Sequence, residues 1–197
     1  MAAFTVLDFQ KTIQGGVRPN LFQVEFKFPS GVDKPVASDI VPQLCKSAAL
    51  PASTVGTVEL PFRGRVIKVP GDRTFESWTA TFYNDQAWEL RKAFEQWIDL
   101  TNQKDKNSGT SPVNSGGDAS VMQDITVKQY DKFNSATTLV ELAAYKLLAA
   151  LPVSVSQIAV AYDNNDSYEE FDVEFAYQYH ESTDGASNNV VSKDTDG

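Results

Sequence analysis

Alternation of hydrophobic and polar residues predicts β-strands along much of the chain. Segment 20–28 repeats with a period of two, which places four apolar side chains on one face: Phe22, Val24, Phe26 and Phe28. Segment 171–180 alternates in the same way and ends at His180. Further strands are predicted within 41–50, 78–82 and 124–133. The chain is therefore expected to be mainly β (α+β).

Residues 57–69, TVELPFRGRVIKV, predict a ribbon of two extended arms around a turn at 61–64. The GDRTF corner follows. It lacks a glycine nest, and a strand comes after it instead of a helix, so a phosphate-binding loop is excluded. We interpret the corner as a structural hinge, with Asp72 and Arg73 forming a local charge pair. The proposed hinge residues are Gly71, Asp72, Arg73, Phe75 and Trp78.

One helix is predicted after residue 85, where Asn84 or Asp85 can cap its first turn. Apolar positions then recur at helical spacing, and we expect them to pack in the core: Ala87, Leu90, Phe94, Trp97 and Thr101. Segment 137–151 is ambiguous by itself, because its composition favours a helix while the segments around it favour strands, and Pro152 ends it.

The ends of the chain and one internal stretch have the composition of mobile segments. Residues 1–17 contain no sustained period and are expected to form an N-terminal arm. Residues 102–120 are rich in Gly, Ser and Asn and predict a loop, and 181–197 predict a flexible C-terminal tail. A single domain over 18–180 remains. Its longest apolar run, 139–153, is too short and too charged to span a membrane, so we expect a soluble protein.

Charge and cysteine content narrow the classes of function. The net charge of −9 argues against a protein that binds nucleic acid tightly through its phosphates. An acidic surface is nevertheless suited to line a channel through which DNA passes without binding. Cys45 is the single cysteine, so no internal disulfide forms and a reducing compartment is expected. The first residues lack the basic start and apolar core of a secretion signal.

Candidate catalytic and metal-binding features are weak. His180 is the sole histidine, and we expect it to be merely exposed. Segment 163–174 places Asp163, Asn165, Ser167 and Glu174 at calcium-loop positions, but Tyr168 replaces the required glycine. A polar turn leading into a strand is the better interpretation. We expect no enzymatic activity, cofactor or metal.

Several blocks together resemble one family. They are RPNLFQVEF, Leu50-Pro51, the V-x-GDRTF-x-x-W block with TATFYND, the helix with Phe94 and Trp97, ITVKQYD, LPVSV, YDNND and FDVEFAYQY. Over residues 18–180 the chain resembles the tail tube proteins of contractile-tailed bacteriophages. The resemblance implies a compact β-sandwich or barrel with one flanking α-helix, a tail-tube-like fold. It also implies a strand over 138–148, against the helix propensity of that segment.

The resemblance also implies a function and partners. Six copies would form a ring, and rings would stack into a hollow tube that delivers DNA without binding it specifically. Implied partners are further copies of the chain, the tail sheath protein, and baseplate and tail-terminator proteins, in a virion tail assembled in the host cytoplasm. The ribbon is our candidate for ring stacking, with six residues proposed: Pro51, Glu59, Phe62, Arg63, Arg65 and Lys68.

Three alternatives stay open. The tube of a type VI secretion system or of a contractile bacteriocin would share the architecture. A baseplate or tail-capping homologue would form a single ring. A carbohydrate-active β-sandwich enzyme would instead need a catalytic carboxylate pair, which the sequence does not mark.

Overall fold

The computed structural model describes residues 5–13, 16–32, 40–109, 121–132, 140–163 and 165–184. Three helices lie within these ranges: α1 (Val6–Ile13), α2 (Val41–Leu44) and α3 (Glu89–Thr101). Nine strands accompany them: β1 (Phe22–Phe26), β2 (Cys45–Ala48), β3 (Thr54–Phe62), β4 (Arg65–Thr74), β5 (Trp78–Tyr83), β6 (Gln123–Tyr130), β7 (Glu141–Val155), β8 (Glu170–Ala176) and β9 (Tyr179–Asp184). The predicted mainly β fold with one flanking helix is confirmed.

Two layers of sheet share the long strand β7. Its first part pairs with β6 on one side and β9 on the other, and residues 151–155 pair with β8. The order along the sheet is β1-β6-β7-β8-β5-β2, and every pairing is antiparallel. Ala149 has a φ of 51° where β7 passes from one layer to the other. The β6 layer consists of β1, β6, β9 and the first part of β7. The β8 layer consists of the end of β7 with β8, β5 and β2.

The two layers and α3 enclose one hydrophobic core. Phe26 of β1 lies 6.4 Å from Phe82 of β5 and 6.0 Å from Phe175 of β8, measured between ring centres. The predicted helical stripe is confirmed at three of its positions and includes one more residue, all of them buried: Leu90, Ala93, Phe94 and Trp97. Burial of each large side chain contributes about 1.5–3 kcal/mol.

The start of α3 follows the prediction in part. The Asp85 carboxylate accepts hydrogen bonds from the N–H groups of Glu89 and Leu90, each at 3.2 Å. Asn84 instead donates from its side chain to Glu169 at 2.8 Å, which ties the chain before α3 to the start of β8. Trp88 precedes the helix with a left-handed φ of 59°.

Two secondary-structure predictions need correction. The expected strand over 41–50 begins as the short helix α2, because Pro42 at its start suits a helical first turn, and only Cys45–Ala48 is extended. The expected strand over 171–180 is interrupted at residues 177 and 178, and β9 continues to Asp184. β9 therefore runs across the predicted domain boundary at residue 180. It is extended because it pairs with β7.

The strand predicted over 138–148 is confirmed for residues 141–148, which lie in β7. Residues 133–139 lie outside the described residues, as does the 110–120 part of the predicted loop. Neighbours on both sides of β7 satisfy its backbone groups, so tertiary pairing overrides the helix propensity of its Ala, Leu and Lys residues.

Candidate assembly surface

The ribbon formed by β3 and β4 projects from the body of the protein. Its antiparallel pairing runs from Thr54 opposite Thr74 to Phe62 opposite Arg65. Every residue of β3 is exposed, and only Gly71 of β4 is not fully so. Nine or ten residues per strand correspond to about 30 Å at roughly 3.3 Å per residue. The predicted ribbon of two extended arms is confirmed and is longer than expected.

A tight turn forms the tip of the ribbon. Arg63 and Gly64 connect the strands with φ values of 45° and 80°. Positive φ at both central residues is the conformation of type I′ hairpin turns, which match the twist of the flanking strands. Gly64 adopts this conformation without steric cost. The Arg63 guanidinium lies over the Phe62 ring, 5.4 Å from its centre.

One face of the ribbon is apolar and open to solvent. Residues directly opposite each other in an antiparallel pair share a face, so Val58 lies beside Val69 and Leu60 beside Ile67. Phe62 and Arg65 complete this face at the tip. Its five apolar side chains are each 40–60% exposed. A contiguous apolar surface of this kind marks an interaction site, whereas scattered exposed residues do not.

The opposite face of the ribbon is more polar. Lys68 lies 3.5 Å from the Glu59 carboxylate across the strand pair. Both side chains are exposed, so this ion pair contributes little to stability. Of the predicted stacking residues, Glu59 and Lys68 therefore share the polar face, Phe62 and Arg65 share the apolar face, and Arg63 occupies the turn. Pro51 precedes β3 and is half-buried.

The predicted hinge residue Gly71 lies at a β-bulge near the base of the ribbon. The register shifts between Val55 and Thr57, where Gly56 approaches Gly71. A Cβ atom on Gly71 would lie only 3.2 Å from the carbonyl carbon and oxygen of Gly56. Two glycines thus allow the strands to approach closely where the ribbon changes its twist.

The predicted charge pair between Asp72 and Arg73 is wrong. No ion pair joins them in the part of the chain that the structure describes. Both residues lie inside β4, where successive side chains point to opposite faces. The GDRTF segment is accordingly mostly extended strand instead of a corner. Its glycine still lies at an irregularity in the backbone.

The rest of the GDRTF-x-x-W block anchors the ribbon to the body. Trp78 is buried, and its indole N–H donates to the carbonyl of Ala49 at 2.6 Å. Because Ala49 precedes the ribbon and Trp78 follows it, this bond holds its two ends together. Phe75 packs against His180, with ring centres 5.4 Å apart. His180 also contacts Tyr177, so it is half-buried in an aromatic cluster and not merely exposed as expected.

Two further exposed apolar surfaces escaped the sequence analysis. Helix α1 has no buried residue, and its apolar side chains recur at helical spacing: Val6, Phe9 and Ile13. This period was the signal that could have revealed it within the predicted arm. The second surface lies on segment 156–170, where Val160, Tyr162 and Tyr168 are largely exposed. No regular period marks that segment.

The outer faces of the two layers differ in charge. On the β8 layer, Thr79 lies opposite Glu174 and Thr81 opposite Asp172, facing away from the core. The Thr81 hydroxyl donates to Asp172 at 2.7 Å, and Lys46 pairs with Glu170. Three carboxylates thus follow one strand of this face.

Charges on the outer face of the β6 layer are more nearly balanced. Lys128 lies 2.8 Å from Glu25 and 4.0 Å from Glu141. The hydrogen bond to Glu25 outweighs partial burial and raises the pKa of Lys128. A charge held between two carboxylates is well suited to keep this sheet face ordered.

No group of three or more metal-ligating side chains could hold a metal ion in the described ranges. Glu174 belongs to β8, as the alternation predicted, and not to a calcium loop. None of the three described helices is long and apolar enough to cross a membrane.

The two-layer fold places the chain in a structural class. It is similar to a chain of the sheath-tube complex of an extracellular contractile injection system, PVC, in its extended state. The TM-score is 0.53 with 16% identity, over 92% of this chain and 99% of the other. At this level of sequence identity, the likeness shows that the two chains share a fold.

The sequence comparisons define the family. The profile of the family described as phage tail tube protein matches residues 17–183. The chain is 30% identical to the tail tube protein gp19 of Enterobacteria phage T4 over 177 residues, 88% of this chain and 98% of that protein. It is 31% identical to the phage T6 tail tube protein gp19 over the same shares of the two chains. The chain belongs to the phage tail tube protein family.

Proposed function

We propose that six copies of this chain form a ring and that rings stack into the hollow inner tube of a contractile phage tail. The observation that carries this proposal is the exposed apolar face of the projecting ribbon. Family membership supports a structural role in the virion, and we assign no catalytic step to any residue. The tube is assembled in the host cytoplasm from identical subunits.

Stacking requires a contact between different surfaces of identical subunits. The ribbon is suited to it, because it reaches about 30 Å from the body and presents five apolar side chains. Burying these half-exposed side chains against a neighbour contributes about 1 kcal/mol each. The bulge at Gly56 and Gly71 sets the direction in which the ribbon leaves the body. Pro51, Arg63, Arg65 and Lys68 complete the proposed stacking element.

Ring closure uses other parts of the fold. β1 and β2 end the strand order in the described ranges, so each presents backbone N–H and C=O groups at a sheet edge. Pairing of such edges between neighbours turns an aggregation hazard into a continuous wall. A closed ring would leave the acidic outer face of the β8 layer toward the channel. Asp172 and Glu174 would then repel DNA phosphates weakly along the path instead of binding them.

The proposed partners are those of a tail tube. A second copy contacts the ribbon, the sheath protein surrounds the tube, and baseplate and tail-terminator proteins contact its two ends. DNA passes through the channel without specific binding. The chain's net charge of −9 supports this, because an acidic protein does not hold DNA through its phosphates.

Electron microscopy of the purified protein at increasing concentration tests the proposal. Wild-type protein should form six-fold rings and rods. Leu60→Asp places a charge in the apolar face and should abolish rods while leaving the fold intact, because Leu60 contacts solvent in the monomer. Thr57→Asp is the matched control on the polar face and should still form rods. A wild-type protein that remains monomeric in concentrated solution would refute the proposal.

A further inference from the structure

A groove lies on the surface between the end of β7 and the start of β8. One wall is formed by residues 158–161 and the other by 167–170. The cavity has a volume of about 370 Å³. Ile158 and Val160 line one side and Tyr168 the other, and Val160 and Tyr168 are 79% and 85% exposed. A concavity that has exposed apolar side chains on both of its walls is a candidate for docking an apolar side chain.

Two carboxylates line this groove, and two more lie between its walls in the sequence. Glu169 and Glu170 belong to one wall, where Glu170 pairs with Lys46 and Glu169 accepts a hydrogen bond from Asn84. Asp163 and Asp166 come between the two walls along the chain, and both are exposed. Segment 156–170 contains these four acids and no Lys, Arg or His. The ribbon has the opposite character. Residues 54–74 contain four Lys or Arg and two acids, in a chain whose net charge is −9.

We propose that the groove receives the ribbon tip of a second copy of this chain. The inference rests on the proposed function and names the receiving surface for the ribbon. The Phe62 ring enters between Val160 and Tyr168, and Arg63 and Arg65 reach the carboxylates of the rim. Arginine suits this position, because its planar guanidinium binds carboxylates with two parallel hydrogen bonds and its stem packs on aromatic rings.

The charges favour the groove over helix α1 as the receiving surface. Helix α1 is also exposed and apolar, but it carries one acid, Asp8, and one base, Lys11, and so offers no net attraction to a basic tip. Desolvated aromatic and arginine side chains in a pocket dominate the energetics of many interfaces. The ribbon tip supplies both types of side chain, and the groove supplies the apolar walls and the opposite charge.

Charge reversal with rescue tests the inference. The tip variant Arg63→Glu/Arg65→Glu and the groove variant Asp163→Arg/Asp166→Arg should each raise the concentration needed for rods by at least about tenfold, which corresponds to roughly 1.4 kcal/mol. A chain that carries all four substitutions should form rods near the wild-type concentration, since each reversed tip meets a reversed groove. Lys106→Glu/Asp105→Arg is the control, because these exposed residues lie in the turn after α3, outside the ribbon and segment 156–170.

The outcomes separate this inference from the proposed function. If wild-type protein forms rods and the four-substitution chain does not, while circular dichroism shows a native fold, the groove is not the receiving surface although the tube proposal stands. Rods from the tip variant at the wild-type concentration lead to the same conclusion. If wild-type protein forms no rods at any concentration, the tube proposal and the docking inference both fail. Rescue in the four-substitution chain supports the docking contact directly.

Discussion

The Asp124 carboxylate accepts a hydrogen bond from the backbone N–H of Ala149, with the two atoms 3.0 Å apart. Ala149 has a left-handed φ of 51° at the point where β7 leaves the β6 layer and joins the β8 layer. The other carboxylate oxygen lies 2.8 Å from Lys146 Nζ. A side chain of β6 therefore fixes the irregular backbone that allows one strand to serve two layers.

Replacing Ala149 with glycine should stabilise the protein. An L-residue in the left-handed region costs about 1–2 kcal/mol, and this exceeds the added chain entropy that glycine gives the unfolded state. We expect the free energy of unfolding to rise by up to about 1 kcal/mol in urea denaturation. Ala144→Gly is the matched control in the same strand, where an ordinary strand conformation gives glycine no advantage. It should lower stability, and a loss in both variants would contradict the strain at Ala149.

The Asp124 contact should make stability depend on acid pH. Burial works against the charged carboxylate, but hydrogen bonds from Lys146 and Ala149 outweigh it and lower the pKa of Asp124. A carboxyl group whose pKa is lower in the folded state stabilises the fold above its unfolded pKa of about 3.9. That contribution disappears as the pH falls through the folded value. Asp124→Asn should therefore reduce stability at pH 7 and flatten its decline below about pH 4.

Urea titrations across this pH range measure the effect, with Asp105→Asn as the control at an exposed turn. The control should follow the wild-type pH profile. An unchanged profile for Asp124→Asn would show that the contact does not contribute to stability in solution.

The parts of the fold that the sequence predicts are those where one face of an element is buried. β5 and β8 bury alternate side chains, and α3 buries side chains at helical spacing. The hydrophobic period of each element can therefore be recognised in the sequence. Helix α2 spans four residues and is too short to show a period. β7 has helix-forming residues and is extended only because strands pair with it on both sides, a property of the fold and not of the segment.

The assembly surface was predicted only in outline. Alternation in β3 and β4 indicated a ribbon, but alternation usually predicts a strand with one buried face. Only the fold shows that the described residues leave both faces of the ribbon exposed. The cluster around His180 brings together Phe75, Tyr145 and Tyr177 from three separate segments. The groove likewise needs two walls from either side of a turn. Such juxtapositions have no local pattern in the sequence.

Trp78 should be the most costly aromatic residue to replace near the ribbon. Trp78→Phe removes the hydrogen bond to Ala49 and leaves a cavity in the core, so it should lower the free energy of unfolding by about 1–3 kcal/mol. Trp88 is 42% exposed, and Trp88→Phe should change stability by less than about 0.5 kcal/mol. Urea denaturation of both variants makes the comparison. Equal losses would mean that the bond to Ala49 adds nothing.

Cys45 should react slowly with alkylating reagents while the protein is folded. Burial raises the pKa of its thiol to about 12, and this effect outweighs a backbone hydrogen bond at Ser47 that lowers the pKa. Because the thiolate is the reactive form, we expect iodoacetamide labelling near pH 8 to be at least ~100-fold slower than in the urea-unfolded chain. Mass spectrometry of timed samples measures both rates. Similar rates would show that the thiol is open to solvent.

Gly71 should control the direction of the ribbon without affecting the body. A side chain there would meet Gly56 backbone atoms at 3.2 Å, so Gly71→Val must separate or twist the two strands at the bulge. If tube assembly depends on where the ribbon points, the concentration needed for rods should rise about tenfold, equivalent to roughly 1.4 kcal/mol. The body should unfold as in the wild type, because the ribbon is exposed along its length. Thr57→Val, beside the bulge on the polar face, should assemble normally. If Gly71→Val forms rods at the wild-type concentration, Gly71 does not act as a hinge in assembly. If rods are lost while the body stays folded, the close approach of the Gly56 and Gly71 backbones controls assembly.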